Sequence, residues 1–581
     1  MNYKTILPGN FSMADVREKN LLFVDKTKYI AWLESDARTN APVFMRPRRF
    51  GKTSFTVLLK NYYDIARKDR FDENFQGTWI GSHKTPMASS YCCLRLDISP
   101  VSSKTGLVMS SFITVLASGL RKFSIAYPDF GLPIGKLDPS LYASPSELMI
   151  AFLDHFLFAS GGRARLYVII DEYDHFANEV LSMDKAEFRR ITSTAEDNEG
   201  FIKQFYACLK AYFGGDPEMP IGNFFITGVS SVSLDSITSG FNIANDISGR
   251  RECAAMVGLT HGELSQVIDE TVDFSRIHGL DKAGLIEAME RQFDGYVFSD
   301  EPGAESVFNT DMCLNYLNEV IRVGQLPDRA QDVFISADSG KLRGMMNLAE
   351  PSALDEVSSL ILARKNVTAA LPERLNLNQV EYFDFNGLVS LLKYLGYLSF
   401  ARSSGSAGGP VEYRCPNEVY YQIFVRYYEN RCGLTARREI NLGDMASDKV
   451  DIMPLLRSVE KEISDLPDTG FNEKTLQMCF NFAVRTDSSG KLRPCLEMDT
   501  GGHGRADLIV MNRNPAGRNF LFELKYIPKG RRTDASVAAR LEEAKAQIRE
   551  YKAAPKIAAI PRLDCWAVVF SGNEPAAFEK A

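Results

Sequence analysis

The sequence predicts an α/β chain: a parallel-sheet module, a helical extension, and a second α/β module at the C-terminal end. Three patterns carry that reading. Apolar runs ending in polar residues alternate with helix-spaced segments through the first third, as buried parallel strands and their crossovers do. Helical spacing then dominates from about His261 to Ser390. Near the C-terminal end, two strand-like runs carrying carboxylates and a lysine precede another helix. At roughly 100–200 residues per domain, three to five domains are expected, and the divisions read as 1–260, 261–440 and 441–581.

Composition narrows the class. The 581 residues are 45% apolar and 24% charged, which excludes disordered, collagen-like and fibrous chains. Formal charge is 67 − 74 = −7, so contact with nucleic acid must use a local basic surface. The ten cysteines are scattered without a CxxC, which signals neither a zinc module nor a disulfide framework. Reduced thiols in an intracellular compartment are expected, cytoplasmic or, in a eukaryote, nuclear. No run approaches ~18 consecutive apolar residues, and Met1–Asn10 lacks a signal-like apolar core, so no membrane association is expected.

The elements follow in order. Ala41–Met45 reads as a strand and runs into Arg46-Pro47-Arg48-Arg49-Phe50-Gly51-Lys52-Thr53, after which Phe55, Leu58, Leu59 and Tyr62 recur at helical spacing. Strand, short basic loop, Gly-Lys-Thr and helix are the context of a phosphate-binding loop. Backbone N–H groups at the helix start would hold phosphate oxygens, helped by the helix dipole. Lys52 would reach the β- and γ-phosphates and Thr53 would ligate magnesium. The general pattern GxxxxGK(S/T) wants glycine where Arg46 stands, and Pro47 has no N–H to donate. Arg48 and Arg49, beside Gly51, add positive charge that partly offsets the lost donor. The alternative is a chance Gly-Lys-Thr on a basic loop.

Tyr91–Ile98 reads as a strand, and Leu107–Arg121 and Glu147–Phe158 as helices. Leu166–Ile170 is a continuous apolar run ending in Asp171-Glu172, and carboxylates at that end of a parallel strand sit where α/β proteins bind ligands. Asp171 would hold Mg²⁺ through water, and Glu172 would polarise an attacking water. Phe224–Gly228 reads as a further strand, placed between the phosphate loop and the acidic strand. Thr227 at its end is either a polar sensor near the γ-phosphate or a hydroxyl satisfying backbone. Asp25 reads as an N-cap before Lys26-Thr27-Lys28 in preference to a nucleotide contact.

Together, Phe23–Thr27, Arg46–Thr53, Ile169–Tyr173, Ile226–Ser230 and Ser239–Asn242 resemble the AAA-ATPase-like family. That family's hallmark is an RPRRFGK(S/T) phosphate loop, so the arginine and proline departures are what the resemblance implies. Gly258–Thr260, Phe293–Tyr296 and Leu391–Leu398 are weaker landmarks. The resemblance implies a P-loop ATPase-like domain using ATP and Mg²⁺. Arg250 and Arg251 are candidates for an arginine finger, against a basic surface loop.

In the middle, Leu285–Phe293, Asp311–Val323 and Ala353–Leu362 read as helices. Tyr397–Phe400 and Val411–Arg414 read as a hairpin with its tip at Ser403–Pro410, followed by a helix Glu418–Glu429. Helix, hairpin and helix suggest a winged-helix-like unit. Its uncharged tip favours packing over DNA contact.

Toward the C-terminus, Asp507 heads the strand Leu508–Met511, and Asn519–Phe522 continues into Glu523-Leu524-Lys525. Asn512–Arg518 would be the turn. An antiparallel hairpin brings Asp507 near Glu523 and Lys525, which share one strand face. Two acidic ligands and a lysine suit metal-assisted phosphodiester hydrolysis: carboxylates hold Mg²⁺ or Mn²⁺ and the lysine orients water or stabilises the anion. A solvated Glu-x-Lys pair is the plain alternative. These residues resemble the PD-(D/E)XK nuclease superfamily, with Gly504–Asp507 and Glu523–Lys525 as its two elements and Ala506 in place of proline. The resemblance implies a restriction-endonuclease-like α/β domain and an upstream acid. Glu473 and Glu497 are the candidates, Glu497 being favoured because it lies ten residues before Asp507. Gln547, on a helix Val537–Tyr551, matches a glutamine often found after the core.

From Arg505 to Lys556 there are twelve Lys/Arg and six Asp/Glu, a local +6 that leaves −13 on the rest. Basic charge around a cleavage site is what phosphate-backbone binding needs. The expected activity is therefore cleavage of nucleic acid, DNA before RNA, coupled to ATP binding or hydrolysis, with assembly into a homo-oligomer left open. The rivals are a nucleotide-operated switch whose nuclease-like domain only binds nucleic acid, and a nucleotide binder without turnover.

Overall fold

Parallel strands β1 (Pro42–Met45), β2 (Cys92–Asp97), β3 (Leu166–Asp171), β4 (Ile221–Gly228) and β5 (Asn245–Asp246) form a sheet of order β2-β3-β4-β1-β5. In this computed structural model the described residues are 3–7, 13–35, 41–193, 199–216, 218–230, 241–327, 342, 344, 346–370, 382–401, 410–431, 451–464, 471–487, 492–500, 504–512, 514 and 517–581. Every residue of β3 is buried, which is why its sequence up to Asp171 is an unbroken apolar run and not an alternating one. β4 lies between β1 and β3, so the strand expected between the phosphate loop and the acidic strand is there. Phe44 is level with Thr227, and Ile170 with Ile226. That register brings the loop after β1 and the carboxylates after β3 to the same sheet edge.

The helix after β1, Lys52–Tyr63, starts behind Gly51 at φ 100°, a left-handed backbone that glycine adopts without a Cβ penalty. Its Phe55 packs on Phe225 with ring centroids 5.6 Å apart. The helix Pro145–Ser160 begins two residues before the sequence reading, because Ser144 accepts from Glu147 N–H and proline occupies the first turn. The helix Val108–Ala126 extends beyond Arg121. It is the one described helix long and apolar enough to cross a membrane by length and composition. Its Val108, Phe112, Leu116, Leu120 and Phe123 face is buried, with Phe123 edge-on to Phe152 at 5.1 Å.

The chain divides into two compact units, residues 1–357 with 366–420, and residues 358–365 with 421–581. Residue 260 is not a boundary: the helices Lys282–Phe293 and Thr310–Val323 belong to the parallel-sheet unit. The edge-on contact of Phe50 with Tyr296 at 4.8 Å shows why. The boundary expected at 440 falls outside the described residues, as do Ser239 and Gly240. The same unit holds a small antiparallel sheet of β6 (Val367–Ala369), β7 (Ser399–Phe400) and β8 (Val411–Arg414), ordered β6-β8-β7. The expected hairpin is present with a third strand. Except for Pro410, its tip lies outside the described residues.

The second unit is built on β9 (Leu492–Asp499), β10 (Arg505–Asn512), β11 (Asn519–Ile527), β12 (Leu563–Ser571) and β13 (Glu574–Lys580), ordered β13-β12-β11-β10-β9. The β11/β12 pair is parallel and the other pairs are antiparallel. The crossover helix Asp534–Lys552 buries Leu541, Ala544 and Ile548 with Ile509 and Leu521. The helix Glu473–Asp487 packs Phe480 on Phe522 and Phe570.

Gly228 closes β4 where no side chain fits, since an added Cβ would lie 2.3 Å from Asp174 Oδ1 and 2.5 Å from the Tyr173 ring. Gly228→Ala should therefore destabilise the parallel-sheet unit by about 1–3 kcal/mol. Chemical denaturation of the purified protein checks this. A variant as stable as wild type would mean that the turn after β3 yields freely.

Candidate functional sites

The phosphate loop is built around a buried cation. Arg46 donates to the carbonyls of Met45 and Ser248 at 2.8 Å and of Cys253 at 3.0 Å. Its guanidinium lies between the Phe44 and Phe298 rings, 4.4 and 4.3 Å from their centroids. Burial pushes its pKa down to about 10. The residue that replaces the general motif's glycine is thus a pillar under the loop. Lys52 donates to Arg46 O at 3.0 Å and Pro47 O at 3.2 Å, and lies 3.3 Å from Glu172 Oε1. Arg48 hydrogen-bonds His175 Nδ1 at 2.7 Å, and Arg49 lies 3.8 Å from Asp311. Arg49 and Glu172 both have left-handed backbones, φ 72° and 54°, a strain that side-chain-bearing residues accept chiefly at functional sites.

Asp171 Oδ2 accepts from Arg95 Nη2 at 2.6 Å, and Arg95 Nε donates to Thr56 Oγ1 at 3.0 Å. Burial raises the Asp171 pKa and Arg95 opposes that rise. Asp171 Oδ1 is buried without a hydrogen-bond partner. An orphaned carboxylate oxygen fits a hard divalent cation, and Thr56, one helix turn after Thr53, donates to the other oxygen at 3.3 Å. Thr227 Oγ1 donates to Phe44 O at 2.7 Å, the backbone role of its two readings. Asp25 accepts from Thr27 N–H at 2.9 Å and Trp79 N–H at 2.7 Å, so it caps a turn. Arg250 lies 5.9 Å from the Trp32 ring and Arg251 donates to Pro302 O at 3.4 Å, both within their own unit. Beside Gly51 and Ser54 a cavity of about 210 Å³ is walled by Leu22, Phe23, Val24, Met256 and Leu259.

Sequence reasoning missed Arg95 and Asp174. Buried Asp174 accepts from Val229 N–H, Ser230 N–H and Ser230 Oγ at 2.9, 2.6 and 2.9 Å, tying the turn after β3 to the end of β4. A third acid within Asp171-Glu172-Tyr173-Asp174 was the signal available.

In the second unit, Asp507 Oδ2 accepts from Leu524 N–H at 2.8 Å, and Lys525 Nζ donates to Glu523 Oε1 at 2.9 Å. The pairing Leu508↔Phe522 in the β10/β11 ladder sets these residues side by side. β9 brings Glu497, and the helix Glu473–Asp487 brings Glu473, Lys474 and Gln477, to one cavity of about 410 Å³ with Gln547 and Tyr551. Gln477 donates to Asp507 and Lys474 pairs with Glu497. Lys525 also lies 3.8 Å from Glu473. Glu473 Oε1, Gln477 Oε1, Glu523 Oε2 and Gln547 Oε1 are buried with no hydrogen-bond partner. These oxygens suit a hard cation.

Two of the expected metal ligands are held by lysines here. Among the described residues no three His, Cys, Asp or Glu side chains form a ready metal cluster, so Glu497, Asp507 and Glu523 are not assembled as a ligand triad. The reason is charge: like carboxylates in a buried site repel, and Lys474 and Lys525 hold two of them. Of the two upstream acids, Glu473 Oε1 accepts no hydrogen bond but lies 3.8 Å from Lys525, and Glu497 pairs with Lys474. Glu497, at φ 49°, keeps its lysine. Gly501–His503 and Pro515 lie outside the described residues.

Burial first, then mutual repulsion, raises Glu523, and burial first, with Glu497 and Glu473 adding to it, raises Asp507. Burial works to lower Lys525, but Glu523, Asp507 and Glu473 together outweigh it and the net shift is upward. Raised carboxyl groups keep protons that a cation must displace. Metal affinity should therefore climb from pH 6 to pH 8, with proton release on binding. Calorimetry of Mn²⁺ binding in buffers of different ionisation enthalpy measures both. Affinity flat across that window would place the metal elsewhere.

Residues 9–238 match the model of the family described as predicted AAA-ATPase, and residues 496–579 match the PD-(D/E)XK nuclease superfamily. No curated protein matches the chain. Among solved structures, a Walker-type ATPase of Pyrococcus abyssi is similar at 12% identity and a TM-score of 0.39, over 69% of this chain and 94% of its own. The two family matches fall on the two units in the order their motifs indicate, predicted AAA-ATPase on the parallel sheet and PD-(D/E)XK nuclease superfamily on the mixed sheet.

Proposed function

We propose that the chain couples ATP binding or hydrolysis in its first unit to metal-dependent phosphodiester cleavage of nucleic acid, DNA in the first instance, in its second. One observation carries the cleavage half: the Glu523–Lys525 pair at 2.9 Å stands beside Asp507 in a cavity where the buried oxygens Glu523 Oε2, Gln477 Oε1 and Gln547 Oε1 have no hydrogen-bond partner. Buried oxygens left orphaned are costly unless a ligand satisfies them.

In the first unit Lys52 would leave the Arg46 and Pro47 carbonyls and Glu172 for the β- and γ-phosphates. Glu172, freed of its lysine, would orient the attacking water and accept its proton. Asp171 Oδ1 and Thr53 would hold Mg²⁺, and the cavity walled by Phe23, Val24, Met256 and Leu259 would take the base. In the second unit Asp507 and Glu523 would hold Mg²⁺ or Mn²⁺, with Glu473 or Glu497 as the upstream acid once its lysine withdraws, and Lys525 would orient water or stabilise the anion. The bound metal would acidify that water and neutralise charge developing on the phosphate. Arg540 and Arg549, exposed on the crossover helix, would contact the phosphate backbone. The second reading, a nucleotide-operated switch whose C-terminal unit only binds nucleic acid, is favoured by the missing three-carboxylate cluster among the described residues.

Cleavage of plasmid and linear DNA, with and without ATP and Mg²⁺ or Mn²⁺, separates the two readings. Asp507→Ala and Glu523→Ala should each abolish cutting and weaken metal binding. Lys525→Ala should bind metal yet cut about 100-fold more slowly. A folded wild-type protein that binds DNA but never cuts it selects the switch. In the first unit, Lys52→Ala should weaken ATP binding, and Glu172→Gln should preserve binding while slowing phosphate release about 100-fold. Unchanged affinity and turnover in Lys52→Ala would remove the ATPase assignment.

A further inference from the structure

Three successive carbonyls of the phosphate loop are held by three successive residues from far along the chain. Asn309 Nδ2 donates to Arg48 O at 3.1 Å, Asp311 N–H to Arg49 O at 3.0 Å, and Thr310 Oγ1 to Phe50 O at 3.0 Å. Phe50 O also receives Gly258 N–H at 2.9 Å. Asn309, fully buried, is the N-cap of the helix Thr310–Val323, its Oδ1 accepting Met312 N–H at 3.2 Å. One amide thus does two things: its oxygen caps its own helix and its nitrogen holds the loop.

A trans peptide is planar, with C=O and N–H pointing opposite ways. Fixing the carbonyls of Arg48, Arg49 and Phe50 therefore aims the N–H groups of Arg49, Phe50 and Gly51 the other way. Those are the donors a phosphate loop presents, and Pro47 can add none. We propose that Asn309, Thr310 and Asp311 are positioning residues of the phosphate loop, which makes the helical extension a working part of the nucleotide site. This rests on the ATP-binding reading above.

The two roles of Asn309 can be separated. Asn309→Asp keeps an oxygen to cap the helix but has no N–H for Arg48 O. Thr310→Val keeps the shape and removes the donor, while Thr310→Ser restores it. Titration of the full chain with a fluorescent ATP analogue and Mg²⁺ reads the effect, alongside circular dichroism and thermal unfolding without nucleotide. Thr310→Val should lose about fivefold and Asn309→Asp about tenfold in affinity, with unfolding midpoints near wild type and Thr310→Ser binding normally. Lys52→Ala serves as the comparator. If Lys52→Ala weakens binding while Thr310→Val and Asn309→Asp bind like wild type, the proposal is overturned. If Lys52→Ala also binds like wild type, the ATP-binding reading itself falls. Should one of the two variants fail to fold, the affinity of the other decides between support and refutation.

Discussion

The buried guanidinium of Arg46 is the constraint on which the parallel-sheet unit's site depends. It lies in a low-dielectric interior where an unpaired cation is expensive, so it must find acceptors. It finds the carbonyls of Met45, Ser248 and Cys253 and the faces of Phe44 and Phe298. Those contacts gather the end of β1, the segment after β5 and the aromatic wall around Phe50 at one point. The chain then has one way round the loop, with its Arg46 and Pro47 carbonyls facing Lys52.

Both sites follow the same electrostatic rule. Lys52 faces Glu172 and Lys525 faces Glu523, and Arg95 and Lys474 likewise hold Asp171 and Glu497. A buried carboxylate stays ionised at tolerable cost only with a cation or donors nearby. The basic residues therefore do at rest what a metal or phosphate-bound arrangement would do in action. Exchange of partners costs less than creating a bare charge. The orphaned oxygens of Asp171 and Glu523 mark where that balance is incomplete.

Composition, strand runs and local motifs were enough to read the two α/β modules. β3 is apolar up to Asp171 because every one of its residues is buried, and the loop Arg46–Thr53 is legible because a phosphate loop is contiguous in sequence. Asp507, Glu523 and Lys525 were legible for a similar reason, since one hairpin brings them together and strand periodicity sets their facing. β6 was too short to signal itself, and Arg46, read as a departure from the motif's glycine, is a structural cation.

What only tertiary structure decided is everything that depends on residues distant in the chain. Sequence spacing holds no information about which lysine each upstream acid meets, Lys474 for Glu497 and Lys525 for Glu473. The helices after residue 260 lie in the parallel-sheet unit, where Phe50 packs on Tyr296, a contact set by burial and not by local propensity. Arg95 met Asp171, and Asn309–Asp311 met the loop, through strand order and helix placement. Local sequence determines which elements form and which chemistry they carry. Partnership among buried charges and carbonyls is settled by desolvation and hydrogen bonding once the elements have packed.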